Sequence, residues 1–323
     1  YQRLLAHHPE DFTGWSLYGV LLRGLKRHDE AATALRRALA LREDIPTRNS
    51  LVIALVSGGR LAEAREEGLR CLRLKDETAR ERFKASPFAG LRLTPRAVSF
   101  DHRTASRNVI AFSLWGDNPV YVHGAIVNAR IAPHIYTGWT TRFYVDDTVP
   151  ADALDQLRAA GAQVVMVDDP ALARIRPMWR FLASDDPQVD FFLCRDADSR
   201  LNVQEFLAVQ EWLASGRSFH VMRDHLYHME LVLAGMWGGK AGVLPPLRDW
   251  MLKAASYFDN RFGDQAFLME QVWPLIRDDL CSHDSAYQFH DGRVFPGYAL
   301  PRPIHVGGGV KQMPHWRKGG ERA

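Results

Sequence analysis

The chain has 323 residues, 46% of them hydrophobic and 24% charged, with 41 Lys+Arg against 38 Asp+Glu. That length and balance suit about two domains with cores of their own and exclude a peptide-sized module. No apolar run approaches the roughly 18 residues that span a bilayer, and the first residues lack a signal-peptide layout, so a cytoplasmic protein without a membrane span is expected.

Charge divides the chain. Residues 1–96 carry 18 Lys+Arg against 12 Asp+Glu, and the remainder 23 against 26. The basic residues of the first part alternate with acidic ones on helical faces, the pattern of a solvated helix surface rather than of a nucleic-acid site. Cys71, Cys194 and Cys281 are scattered and never paired as Cys-x-x-Cys, so neither a disulfide framework nor a cysteine zinc site is indicated.

In chain order the first elements repeat. Tyr18, Gly19, Leu22, Ala31, Leu35, Ala38 and Leu39 recur 33 residues on as Leu51, Val52, Leu55, Ala64, Gly68, Cys71 and Leu72. Tyr1, Leu4 and Leu5 keep the same phase before Pro9, so the chain is expected to begin inside an earlier unit. The spacing predicts helix pairs over about 12–24 with 28–42 and about 47–57 with 61–74. Trp15, Gly19, Leu22, Ala31, Leu35 and Ala38 stand at the signature offsets of the tetratricopeptide repeat, which residues 1–75 resemble, with Lys26 where that family has glycine. The resemblance implies a concave surface for a protein or peptide; packing on the next domain, or a homo-oligomer built through the repeats, is the other use of such helices. Residues 76–108 lose the repeat phase and read as a connector with a short helix.

From 109 to 323 the pattern changes. Short apolar runs at Val109–Trp115, Thr141–Val145, Gln163–Val167, Phe191–Cys194 and Ser218–Met222 alternate with helical stretches near 119–133, 151–160, 203–214 and 245–257. This predicts an α/β domain with a mostly parallel sheet flanked by helices, whose ligands gather at the carboxyl ends of the strands.

The strand Phe191-Phe192-Leu193-Cys194 runs directly into Asp196-Ala197-Asp198. Two carboxylates at that spacing can grip a hard divalent cation whose remaining positions bridge a diphosphate. A turn or capping role is the plain alternative. A haloacid-dehalogenase-type nucleophile would normally end the first strand, not about the fourth.

Further segments stand in a particular order with this one. Trp179-Arg180-Phe181-Leu182, the Asp196-Ala197-Asp198 turn, Asp264-Gln265-Ala266 and His305-Val306-Gly307-Gly308-Gly309-Val310-Lys311, followed by Pro314 and Trp316, together resemble the retaining glycosyltransferases of the glycogenin and bacterial galactosyltransferase type. The resemblance implies a GT-A fold. It implies that Asp196, Asp198 and His305 ligate Mn²⁺ or Mg²⁺, and that Asp196, Lys311, the Gly308 backbone and Arg180 meet the donor. Asp117, Asn118 and Tyr121 would hold the nucleotide base, although Asp117-Asn118-Pro119 also reads as a helix start. Asp264 and Gln265 would lie at the anomeric carbon. Should the enzyme invert configuration, Asp264 is the first choice as general base. Arg195, Ser199, Arg200 and Ala266 depart from the family's pattern.

Arg223, Asp224, His225 and His228, with Trp237 and Gly238, concentrate polar and flat groups that would suit an acceptor or sugar pocket; His283-Asp284 is a weaker candidate for its rim. The function expected is a metal-dependent glycosyltransferase that moves a hexose from a nucleotide sugar, UDP-sugar favoured, to a polypeptide or saccharide acceptor. A repeat scaffold with a degenerate donor domain and a metal-dependent nucleotidyltransferase are the alternatives.

Overall fold

Five helices open the chain: α1 (Gln2–His7), α2 (Phe12–Gly24), α3 (His28–Leu41), α4 (Ile45–Ser57) and α5 (Leu61–Lys84). The structure, a computed structural model, describes residues 1–254, 257, 263–300 and 304–309. Lys311, Pro314 and Trp316 lie outside the described residues. Small residues let the helices approach: a Cβ at Gly19 would stand 2.5 Å from Cγ of Leu35. The turns after α2 and α4 are equivalent across the 33-residue period, and both need a left-handed residue, Lys26 at φ 60° and Gly59 at φ 76°. Asp44 caps α4 by accepting the Thr47 N–H at 2.9 Å. The helix expected to end near 74 continues to Lys84.

The α/β part holds β1 (Asn108–Leu114), α6 (Pro119–Ile135), β2 (Thr140–Val145), α7 (Ala151–Ala159), β3 (Gln163–Met166), a kinked 3₁₀ segment (Pro170–Ser184), β4 (Phe191–Arg195), α8 (Val203–Ser215) and β5 (Phe219–Arg223). These match the expected alternation to within a few residues. Then follow β6 (Met236–Lys240), α9 (Leu247–Lys253), α10 (Gly263–Phe267), a π turn (Leu268–Val272), α11 (Trp273–Ile276) and β7 (Leu280–Asp284). Among the described residues seven strands form one sheet in the order β3-β2-β1-β4-β6-β5-β7, parallel except for β6.

Neither β6 nor β7 is among the strands expected from sequence. β6 carries Gly238 and Gly239 because its neighbours leave no room: a Cβ at Gly238 would meet the Phe192 carbonyl, and one at Gly239 the Phe219 ring.

One face of the sheet is covered by α6, α7 and α8, with Ile110, Phe112, Phe143, Leu193 and Trp212 at the centre. Over the other face, a continuous apolar cluster runs from Leu22, Leu35 and Leu55 of the helical part through Ala79 and Phe83 to Trp179, Trp237, Trp250 and Trp273. No helix among the described residues is long and apolar enough to cross a membrane.

Candidate active-site cleft

β1 and β4 are central and parallel, so their last residues, Leu114 and Arg195, release the chain side by side at one edge of the sheet. A cleft of about 470 Å³ opens there, lined by Asp117, Asn118, Tyr121, Arg180, Asp196, Asp198, Asp264 and Gln265 together with Ser113, Trp115, Gly116, Pro177 and Ala197. Residues from four separate stretches of chain thus share one cavity, as the rule for parallel sheets requires.

Each wall has a local cause. After β1 the chain turns at Gly116, φ 69°, whose N–H donates to Thr148 Oγ1 at 2.7 Å. Asn118 caps α6 by accepting the Val120 N–H at 3.0 Å, with Pro119 in the first turn, so the helix-start reading and the lining position hold together. After β4, Ser199 Oγ donates to the Asp196 carbonyl at 2.9 Å and Asn128 Nδ2 to the Ser199 carbonyl at 2.9 Å. These bonds close a tight turn around Asp196-Ala197-Asp198. Gly124 of α6 lies directly against it, and any Cβ there would meet the Ala197 carbonyl.

Arg180 organises the cleft electrostatically. It is 5% exposed and donates to Asp196 Oδ1 at 2.5 Å, to the Arg195 carbonyl at 3.2 Å and to Asp264 Oδ2 at 3.3 Å. Its backbone N–H donates to Ser113 Oγ at 2.9 Å. The pairing of Arg180 with Asp185 or Asp186 that its sequence neighbourhood allows is not formed: Asp186 pairs with Arg142, and Asp185 accepts the N–H groups of Leu247 and Arg248 at the start of α9. Burial raises the pKa of Asp264, opposed by the Arg180 charge and assisted by Asp196. Two buried polar atoms at the cleft, Arg180 Nε and Gln265 Oε1, have no hydrogen-bond partner. Orphaned groups of this kind suit a polar ligand.

The residues that break the family pattern have structural work. Arg195, on β4 itself, turns away from the cleft and pairs with buried Glu205 at 2.6 Å. Arg200 donates to the Ala197 and Ser199 carbonyls at 3.3 and 2.8 Å, bracing the turn.

Asp196 and Asp198 are a donor pair of the kind a hard cation uses when diphosphate and water fill its other positions. Among the described residues no group of three His, Cys, Asp or Glu is arranged to hold a metal. The His305 ring lies 4.6 Å from that of His225 and 5.1 Å from that of His228. Asp224 accepts the Val306 N–H at 2.9 Å, and Gly309 bridges Ser199. The segment bearing His305 and Gly308 therefore runs beside the aspartate turn without lining the cleft.

The remaining candidates lie elsewhere. Trp237 is fully buried, edge-on to Phe181 and Phe192, and Gly238 pairs with Leu193 inside the sheet; neither offers a surface to a sugar. Arg223 is a core residue, bonded to Asp284 at 2.9 Å and to the Leu231 carbonyl at 2.7 Å. His283, expected at a rim, is buried and bonds His220 at 2.8 Å. Ser113 was not foreseen from sequence; a hydroxyl inside the otherwise apolar run Val109–Leu114 is the signal that marks it.

No family model matches the sequence, and no curated protein matches it either. Among solved structures, the chain is similar to glucosyl-3-phosphoglycerate synthase from Mycobacterium tuberculosis in complex with phosphoglyceric acid, at 12% identity and a TM-score of 0.28, over 47% of this chain and 65% of that one. The chain thus matches less than two thirds of that protein, and a likeness of this extent fixes neither fold nor reaction.

Proposed function

We propose that this protein transfers a sugar from a nucleoside-diphosphate sugar to an acceptor hydroxyl in the cleft at the ends of β1 and β4. The observation that carries this reading is the convergence there of Arg180, Asp196, Asp198, Asp264 and Gln265 from three distant stretches of chain. The donor set suits Mn²⁺ or Mg²⁺, and Asp196 and Asp198 would hold it. Bound there, the ion would offset charge on the departing diphosphate.

The chain's own groups account for the rest. Tyr121 and Trp115, 38% and 39% exposed at the cleft, offer ring faces to a base. Arg180 brings a desolvated positive charge to where the donor's anionic part would lie, worth more there than at a wet surface. Gln265, with its orphaned oxygen, can accept from a sugar hydroxyl, and Asp264 beside it can bond the ring or, in an inverting reaction, take the acceptor's proton. Its raised pKa suits that second role. The helical part would recruit a polypeptide or saccharide acceptor, or a partner.

Thermal unfolding with UDP, GDP, ADP and CMP, with and without Mn²⁺, tests the reading. A rise in melting temperature for one diphosphate that needs both Mn²⁺ and Asp198, and disappears in Asp198→Asn, is expected. No rise with any nucleotide would overturn it.

A further inference from the structure

We propose that α5 is a positioning element of the cleft: it fixes the loop between β5 and β6, and through that loop the His305–Gly309 segment beside the aspartate turn. The consequence for donor binding rests on the function proposed above; the mechanical hold does not.

The contacts form a continuous path. Lys75 of α5 is 2% exposed, and its Nζ donates to the Met229 carbonyl at 2.6 Å and to Glu230 Oε1 at 2.8 Å. Three residues along the same loop, the Leu226 carbonyl accepts from Tyr287, whose ring fills the notch left by Gly68 of α5. Ser57, at the end of α4, meets the Tyr227 hydroxyl at 3.2 Å. From the loop, Asp224 holds the Val306 N–H, and the rings of His225 and His228 pack on His305. Gly309 then bridges Ser199, whose hydroxyl bonds the Asp196 carbonyl.

The chemistry of Lys75 makes the choice specific. An ammonium group inside a protein is costly unless its donors are satisfied, and a solvated lysine would serve an ordinary repeat helix equally well. Here its partners are 154 and 155 residues away in sequence and belong to one loop. A strut that only joined two bodies would need apolar contact alone, which Ala79 and Phe83 already supply.

Lys75→Met in the full chain keeps the volume and removes the charge. Amide hydrogen exchange should accelerate at 224–231 and 304–309, with Val306 among the affected amides, while β1 and β4 keep their protection. Mn²⁺-dependent UDP binding, followed by titration calorimetry, should weaken about tenfold. Glu230→Gln, which leaves the bond to Met229, should give the same pattern at smaller amplitude and carries the test if Lys75→Met does not fold. Faster exchange confined to α5 and its helical neighbours, or spread evenly over the chain, would overturn the proposal. A loosened loop with unchanged UDP affinity would overturn its link to the cleft. Failure of the unaltered protein to bind UDP, GDP, ADP or CMP would count against the donor site instead, and the exchange pattern would still decide what α5 holds.

Discussion

Two arginines meet adjacent positions at the end of β4 and do opposite things. Arg195 points into the core under α8, 1% exposed, and pairs with Glu205, which also accepts from the Tyr136 hydroxyl at 2.5 Å. Arg180 meets the next residue, Asp196, at the cleft, and shares itself with Asp264. The first cluster is sealed, so its charges cancel within the core and serve only the frame. Each arginine keeps one orphaned nitrogen, Nη2 of Arg195 and Nε of Arg180, but only the second stands beside a cavity, with the orphaned Gln265 oxygen and a carboxylate held at raised pKa. Burial of charge alone does not mark a site; incomplete satisfaction beside a cavity does.

The contrast can be broken most forcefully at the sealed pair. Glu205→Gln leaves Arg195 buried with no counter-charge, and a loss of about 3–5 kcal/mol is expected in denaturant unfolding. A loss under about 1 kcal/mol would mean the pair is not a frame element.

At the cleft the signature should invert. Asp264→Asn is expected to lower turnover about a hundredfold while leaving the melting temperature equal or higher, because burial already disfavours the ionised carboxyl. Equal loss of stability and turnover would place Asp264 in the frame as well.

Gly124→Ala probes the joint between the two regions, since the new methyl would press on the Ala197 carbonyl. About 1–3 kcal/mol of stability should be lost by calorimetry, together with Mn²⁺-dependent nucleotide binding. Retained binding would show that the aspartate turn tolerates displacement.

The smallest effect concerns pH. His220 and His283 bond each other at 2.8 Å inside the sheet, and burial holds both pKa values below the ordinary imidazole value of 6.5. Native protein keeps them neutral, so the unfolded chain binds protons first as pH falls. Their contribution is complete above about pH 6.5 and declines below it, by up to about 1.4 kcal/mol per pH unit for each ring. Urea midpoints at pH 7.5 and 5.5 measure this, and His220→Phe should flatten the slope.

Much of the fold was legible where side-chain period and packing agree. β1 to β5 announce themselves as apolar runs between helical stretches. β6 does not, because Trp237-Gly238-Gly239 carries its information in what the neighbours exclude, and its glycines read as a pocket. β7, Leu-Cys-Ser-His-Asp, hides behind polar residues whose partners, His220 and Glu211, come from elsewhere. The last turns of α5 look solvated for the same reason: Asp76 meets Trp273 and Arg277 across 197 and 201 residues. Of the candidate site, the cleft-lining residues stand in segments whose order along the chain is itself a signal, whereas Trp237, Gly238 and Arg223 stand out only in local composition and lie in the core. Local composition reports polarity, and only long-range pairing decides whether that polarity faces a cavity.

The antiparallel course of β6 has a further consequence. Because β6 runs against β4 and β5, the chain leaves β5 at Arg223 and starts β6 at Met236 on the same edge where β1 and β4 finish. The dozen residues in between hang as a fringe on the working edge, anchored at both hems. Lengthening, shortening or recolouring that fringe changes the edge beside the His305–Gly309 segment while every strand keeps its register. Variation at this edge thus has a place to arise that leaves the weave untouched.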